Sequence, residues 1–222
     1  MKFHWETKGI RVILRYQVAV TFAIDGDLRF ISHLDTLRLF ARAVTRAQLP
    51  VRFSEGFNPQ PKLWLPLPRP VGMAADREML VVQFSEPVAP VTVREKLEPQ
   101  MPDGITFVDV AAPTTTKVLQ ASQVSYRLGI DPNEQPRLAQ AADRLLHAGI
   151  VTVLRRYGPG KPARTIDIRR NIARIQVSHD CLEFTLTVAP DGTARPAEVI
   201  EAIGLDPNRV AHRMRRTRIL WA

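Results

Sequence analysis

At 222 residues, 45% hydrophobic and 24% charged, the chain has the composition of a folded globular protein with enough length for one large domain or two smaller ones. Lysine and arginine exceed aspartate and glutamate by nine, and the pI lies near 10.4, a balance that favours polyanionic partners. A single cysteine, Cys181, excludes an intrachain disulfide, a thiolate zinc site and an iron–sulfur cluster held by this chain alone.

Residues 10–24 alternate and are rich in Val, Ile and Tyr, which predicts a strand ended by Asp25-Gly26-Asp27. Leu34, Leu37, Phe40, Ala41, Val44 and Ala47 recur at helical spacing, so a helix is expected from Ser32 to about Gln48. Ser32 suits its N-cap, and Asp35 three residues on gives a capping box with a shorter acid. Pro50 stops the helix, and Val51-Arg52-Phe53 can begin a second strand. A third strand is expected at 78–85, a short helix from Pro90 to Leu97 and a fourth strand at 104–110. That order is β-α-β-β-α-β, the ferredoxin-like unit.

The order then recurs without residue-level identity. A strand is expected at 122–130, a helix at 136–148 and a strand at 150–156. A Gly/Pro/Lys loop follows, then a short strand or turn at 165–168, a hairpin from 173–178 and 182–188, a helix at 196–203 and a closing strand at 210–221. The expected fold is therefore α+β: two tandem ferredoxin-like domains, 10–112 and 122–222, the second with extra strands, joined by a linker at 113–121.

Candidate functional residues fall in three stretches. Arg38, Arg42 and Arg46 sit at i, i+4 and i+8, so they share one helix face as a solvated charge stripe or as a rail for phosphates. His33, at the first helical position, is a candidate acid/base or a hydrogen-bonded structural histidine. The loop Ser54-Glu55-Gly56-Phe57-Asn58-Pro59-Gln60-Pro61-Lys62 is stiffened by its prolines. There Phe57 can stack on a base or plug the domain, Asn58 can read a polar edge and Lys62 can meet a phosphate. Lys161, Asp167 and Arg170 belong to a basic flap in the second half. Arg209, Arg213, Arg215, Arg216 and Arg218 crowd the last strand, where strict alternation would set Arg213 and Arg215 opposite Arg216 and Arg218.

Several chemistries find no support. The G-P-G-K segment at 158–161 lacks Walker spacing, and no catalytic triad, paired acids or dinucleotide fingerprint stands out. His4, His33, His147, His179 and His212 lack ligand spacing, so no metal is expected. No apolar run approaches the roughly 18–20 residues that cross a bilayer, and the first residues lack an apolar signal segment. A cytoplasmic protein without membrane association is the expectation.

At FISHLDTLRLFARAVTRAQLPVRFSEGFNPQPKL, PLPRPVG and TIDIRRNI the chain resembles the radical-SAM-associated protein family, from about Val18 onward. This bacterial domain of unknown function is fused to, or encoded beside, cobalamin-binding-type radical SAM proteins. Ser32, His33, Asp35, Arg38, Arg42, Ser54, Gly56, Phe57, Asn58, Pro59, Lys62 and Asp167 match the family pattern. The resemblance implies a radical SAM partner that carries the iron–sulfur cluster and S-adenosylmethionine, since this chain lacks the three cysteines of such a cluster. It also implies a genomic setting among ribosomal and RNA-processing proteins. The expected function is a non-catalytic RNA-binding accessory protein that presents tRNA or rRNA to the radical SAM enzyme. The alternatives are a metal-independent endoribonuclease or RNA-modifying enzyme using His33, and a protein–protein adaptor for the radical SAM subunit.

Overall fold

The computed structural model describes residues 16–113, 119–156, 158, 160, 162–189 and 192–222. The start of the strand expected at 10–24, part of the expected linker and Lys161 lie outside the described residues.

Alternation along β1 (Tyr16–Ile24) buries Val18, Val20, Phe22 and Ile24 on one side. Asp25 ends the strand: its carboxylate accepts from the Gly26 N–H at 2.8 Å and opens a 3-10 turn, Gly26–Phe30. Ser32 then caps α1 (His33–Arg46), whose buried residues are Thr36, Phe40, Ala43 and Val44. Leu34, expected on this inner stripe, is 61% exposed. The buried stripe is rotated relative to the expectation, so Leu34 shares the outer face with Arg38 and Arg42, one and two turns on.

The strand expected at 51–53 is reduced to isolated bridges, Val51 to Phe84 and Phe53 to Pro61. Prolines at 50, 59 and 61 remove ladder donors there. Regular pairing resumes with β2 (Leu63–Trp64) against β3 (Ala74–Phe84). The chain continues through α2 (Pro90–Leu97) to β4 (Ile105–Ala111), which lies antiparallel to β1.

In the second half come β5 (Ala121–Gly129), α3 (Gln135–His147), β6 (Thr152–Arg155), β7 (Arg164–Asp167), β8 (Ile172–Val177) and β9 (Cys181–Thr187). Then follow α4 (Pro196–Ala202), α5 (Pro207–Val210) and β10 (Met214–Trp221). The strand expected at 150–156 does not join the main sheet: β6 pairs with β7 as a separate hairpin, and β8 takes the sheet edge. Arg155 ties this hairpin to α4 through two hydrogen bonds to Glu198, at 2.7 and 2.6 Å. The closing strand starts at Met214, not Val210, because Asp206 and Pro207 begin a helical turn that a 3-10 turn extends to Arg213.

The main sheet runs β4-β1-β3-β10-β5-β9-β8, with β2 also on β3. Both halves set their last strand beside their first and their first beside the strand that precedes the second long helix. β10 joins β3 in parallel through Arg215 opposite Ala74 and Arg216 opposite Ala75. Around Phe40, Val44, Val93 and Leu97 one apolar cluster packs on β1 and β3. A second gathers Leu138, Leu145, Val199 and Ile200 on β5 and β9. Phe22–Phe40 and Tyr126–Phe184 ring contacts, at 4.9 and 5.2 Å between centroids, lie in these two cores.

A bulge in β10 overturns the expected arginine faces. Arg216 pairs with Tyr126 but Arg218 with Ser125, so two steps on β10 match one on β5. Arg216 is consequently buried while Arg218 is exposed.

Candidate functional site

The outer face of α1 starts at its cap. The Ser32 hydroxyl accepts from the Asp35 N–H at 3.1 Å and donates to the Asp35 carboxylate at 2.7 Å. Asp35 also accepts from Arg38 at 2.9 Å. The Ser32 hydroxyl and then the Arg38 guanidinium hold the Asp35 carboxyl below its usual range. Arg42 reaches the Arg38 carbonyl, and Arg46 donates to the side chain and carbonyl of Gln100. Arg42 and Arg46 line a groove of about 490 Å3 with Asp35, Leu28, Leu39 and Met101. Asp35, Arg42 and Arg46 therefore line one groove, and Asp35 makes its direct ion pair with Arg38.

His33 turns elsewhere. It borders a void of about 10 Å3 with Phe22, Thr36, Leu65, Leu67, Arg69 and Glu78, and burial lowers its pKa.

The 54–62 loop is closed on itself. Ser54 N–H donates to the Gln60 carbonyl, the Gln60 N–H donates to the Ser54 hydroxyl, and Gln60 bonds Asn58. The Lys62 N–H donates to the Arg52 carbonyl and the Lys62 carbonyl accepts from Gln83, anchoring the base of the loop to β3. Gly56, at φ 122°, makes the turn in a conformation that an L side chain resists. Phe57 follows it and is fully exposed, which overturns the reading of this ring as a plug packed within the domain.

Asp167 has a local role. Its carboxylate accepts from the Val151 and Arg169 N–H groups, and these two bonds lower its pKa. Arg170 is exposed beside it. The hydrogen bonds of the α1 face, the loop and Asp167 stay within three separate neighbourhoods. Lys161 lies outside the described residues.

A buried polar cluster at the junction of β3 and β10 was missed. Glu78 Oε1 and Arg216 Nε are 3.3 Å apart, their side chains only 5% and 1% exposed. Arg216 Nη2 donates to the Pro68 carbonyl at 2.9 Å, while its Nε and Nη1 and Glu78 Oε1 have no aligned hydrogen bond. Burial pushes the Glu78 carboxyl above its usual range, against the pull of Arg216 and then Arg69. Arg69 donates to the carbonyls of Arg29, Pro70, Met73 and Ile31. The signal was present: Glu78 shares the alternation of Leu80, Val82 and Phe84, so it points inward with them.

Among the described residues, no cluster of three or more His, Cys, Asp or Glu side chains is placed to hold a metal ion. Nor is any helix among them long and apolar enough to cross a membrane. A comparison with curated proteins returns no match. A family model described as an uncharacterized protein conserved in bacteria matches residues 17–196, which run from β1 to the start of α4. With that much of its length matched, the chain belongs to the DUF2344 family.

Proposed function

We propose that this chain is an RNA-binding accessory protein, cytoplasmic and without radical chemistry of its own, that serves a radical SAM enzyme acting on tRNA or rRNA. The observation that carries this reading is Phe57. Its ring stands fully exposed beside Asn58 on a loop that the Ser54–Gln60 bonds and two prolines hold closed. An exposed aromatic on a pre-ordered loop loses little entropy on binding and offers a flat surface to an unpaired base. Arg38, Arg42 and Arg46, all exposed on α1, supply charge for the phosphate backbone.

The architecture supports the same reading. We infer that residues 10–112 and 122–222 are two ferredoxin-like units joined by a linker at 113–121, the second with the β6–β7 hairpin added. The supporting observation is the shared strand order, β4-β1-β3 in one half and β10-β5-β9-β8 in the other. The motif resemblance supports the radical SAM partner, to which the cluster and S-adenosylmethionine would belong. His33 fits a positioning role better than a catalytic one, since the void it borders holds no more than a water.

The direct check is fluorescence anisotropy with a labelled tRNA and an rRNA hairpin. Replacing Phe57 with Ala should weaken binding by roughly tenfold or more, consistent with about 1–3 kcal/mol per stacked base, while Phe57→Trp should retain it. Failure of the wild-type protein to bind RNA at low salt overturns the reading. Loss of radical SAM co-purification in Phe57→Ala, with RNA binding intact, would reassign the loop to a protein–protein adaptor.

A further inference from the structure

A groove not used above lies where the two halves meet. Its volume is about 540 Å3, within the roughly 300–1,000 Å3 range of small-molecule sites. One wall comes from the PLPRPVG segment, with Pro70 and Val71, and from Met73 between it and β3; the other comes from α4, α5 and β10, with Pro196, Pro207 and Met214. Prolines on both walls fix the backbone, so the groove is formed before any occupant arrives. The two methionines give it adaptable, polarisable sides.

Among the described residues, Arg69 and Arg195 border the groove and no carboxylate does. Arg69 is occupied by backbone carbonyls, so its stem forms part of the wall. Arg195 is exposed, and its hydrogen bond to Glu198 is made by the backbone N–H, which leaves the guanidinium available at the rim.

From this we infer that the groove is a binding site for a small amphiphilic anion: an apolar, flat or aliphatic body seated between the walls, with one carboxylate, sulfonate or phosphate on Arg195. The inference is independent of the nucleic-acid reading. A groove of this volume fits a free small molecule, and an extended peptide or RNA strand would overrun it.

The test uses the full chain and 1-anilinonaphthalene-8-sulfonate, which joins an apolar aromatic body to one anionic group. Wild type should show saturable, one-site fluorescence enhancement. Both chosen variants alter exposed positions. Ala197→Trp, which fills the groove, should abolish the signal with unchanged circular dichroism. Arg195→Glu should weaken the sulfonate probe by about tenfold or more, as for a lost charge-assisted hydrogen bond, yet leave uncharged N-phenyl-1-naphthylamine binding within about twofold. Absence of saturable binding, or binding indifferent to Ala197→Trp, overturns the site. Equal losses of both probes in Arg195→Glu overturn its preference for anions.

Discussion

Glu78 on β3 and Arg216 on β10 meet at 3.3 Å in the interior, where the two halves of the sheet join. The contact places one charge from each half at the same buried point. Removing one partner should strand the other, at a cost of about 3–5 kcal/mol. Glu78→Ala is expected to lower stability by that order in urea denaturation. Glu78→Leu combined with Arg216→Met should recover most of the loss, because an apolar pair of similar volume needs no compensation. A double variant as unstable as the sum of the singles would contradict this account.

The same carboxyl gives a pH dependence. Its folded pKa is raised by burial, so the folded state holds the proton more tightly than the unfolded chain does. Its contribution to stability is full below the unfolded pKa and is lost as pH rises through the folded value. Compared with Glu78→Gln, the wild-type protein should therefore lose stability as pH rises above the ordinary carboxylate range. Urea midpoints measured along that rise provide the check. A wild type that gains on the variant as pH rises would mean that Arg216 and Arg69 outweigh desolvation.

Much of this arrangement was readable in the chain. Proline marked the start of α2 and α4, Ser32 marked α1, and apolar pattern placed β1, β3, β5 and β9, while the short α5 was not foreseen. The reading failed where a tertiary contact overrode local pattern. β6 reads locally as a sheet strand, but it pairs only with β7 and is tied to α4 by the Arg155–Glu198 pair, which no local window contains. The β10 bulge likewise depends on its partner strand, so period-two counting put Arg216 and Arg218 on one face. Of the candidate site, the α1 stripe and the loop were legible because spacing and prolines are local. The Glu78–Arg216 pair joins residues 138 positions apart, beyond the reach of spacing.

Arg155 and Glu198 offer a second buried pair, with side chains 9% and 10% exposed. Arg155→Ala removes two hydrogen bonds from the Glu198 carboxylate and keeps the one from the Arg195 N–H. A loss of about 3–5 kcal/mol is expected, with hydrogen exchange rising first in the β6–β7 hairpin. Unchanged exchange there would show that the hairpin is held by other contacts.

Gly104 has φ 95°, and a Cβ built on it would lie 2.8 Å from the Asp25 carbonyl oxygen. Gly104→Ala must therefore strain the turn that leads into β4, where the Gly104 carbonyl accepts from the Asp25 N–H at 2.9 Å. The expected loss is on the order of 1–3 kcal/mol, read as a lower thermal midpoint. An unchanged midpoint would mean that the two backbones separate freely.

The central claim is that the exposed arginines of α1 carry phosphate contacts, and salt dependence of RNA affinity tests it most directly. Wild type should bind with a steep fall in log K against log[salt], and Arg38→Gln with Arg42→Gln should flatten that slope by roughly two. Binding that ignores salt, or a double variant whose slope equals that of wild type, would contradict it.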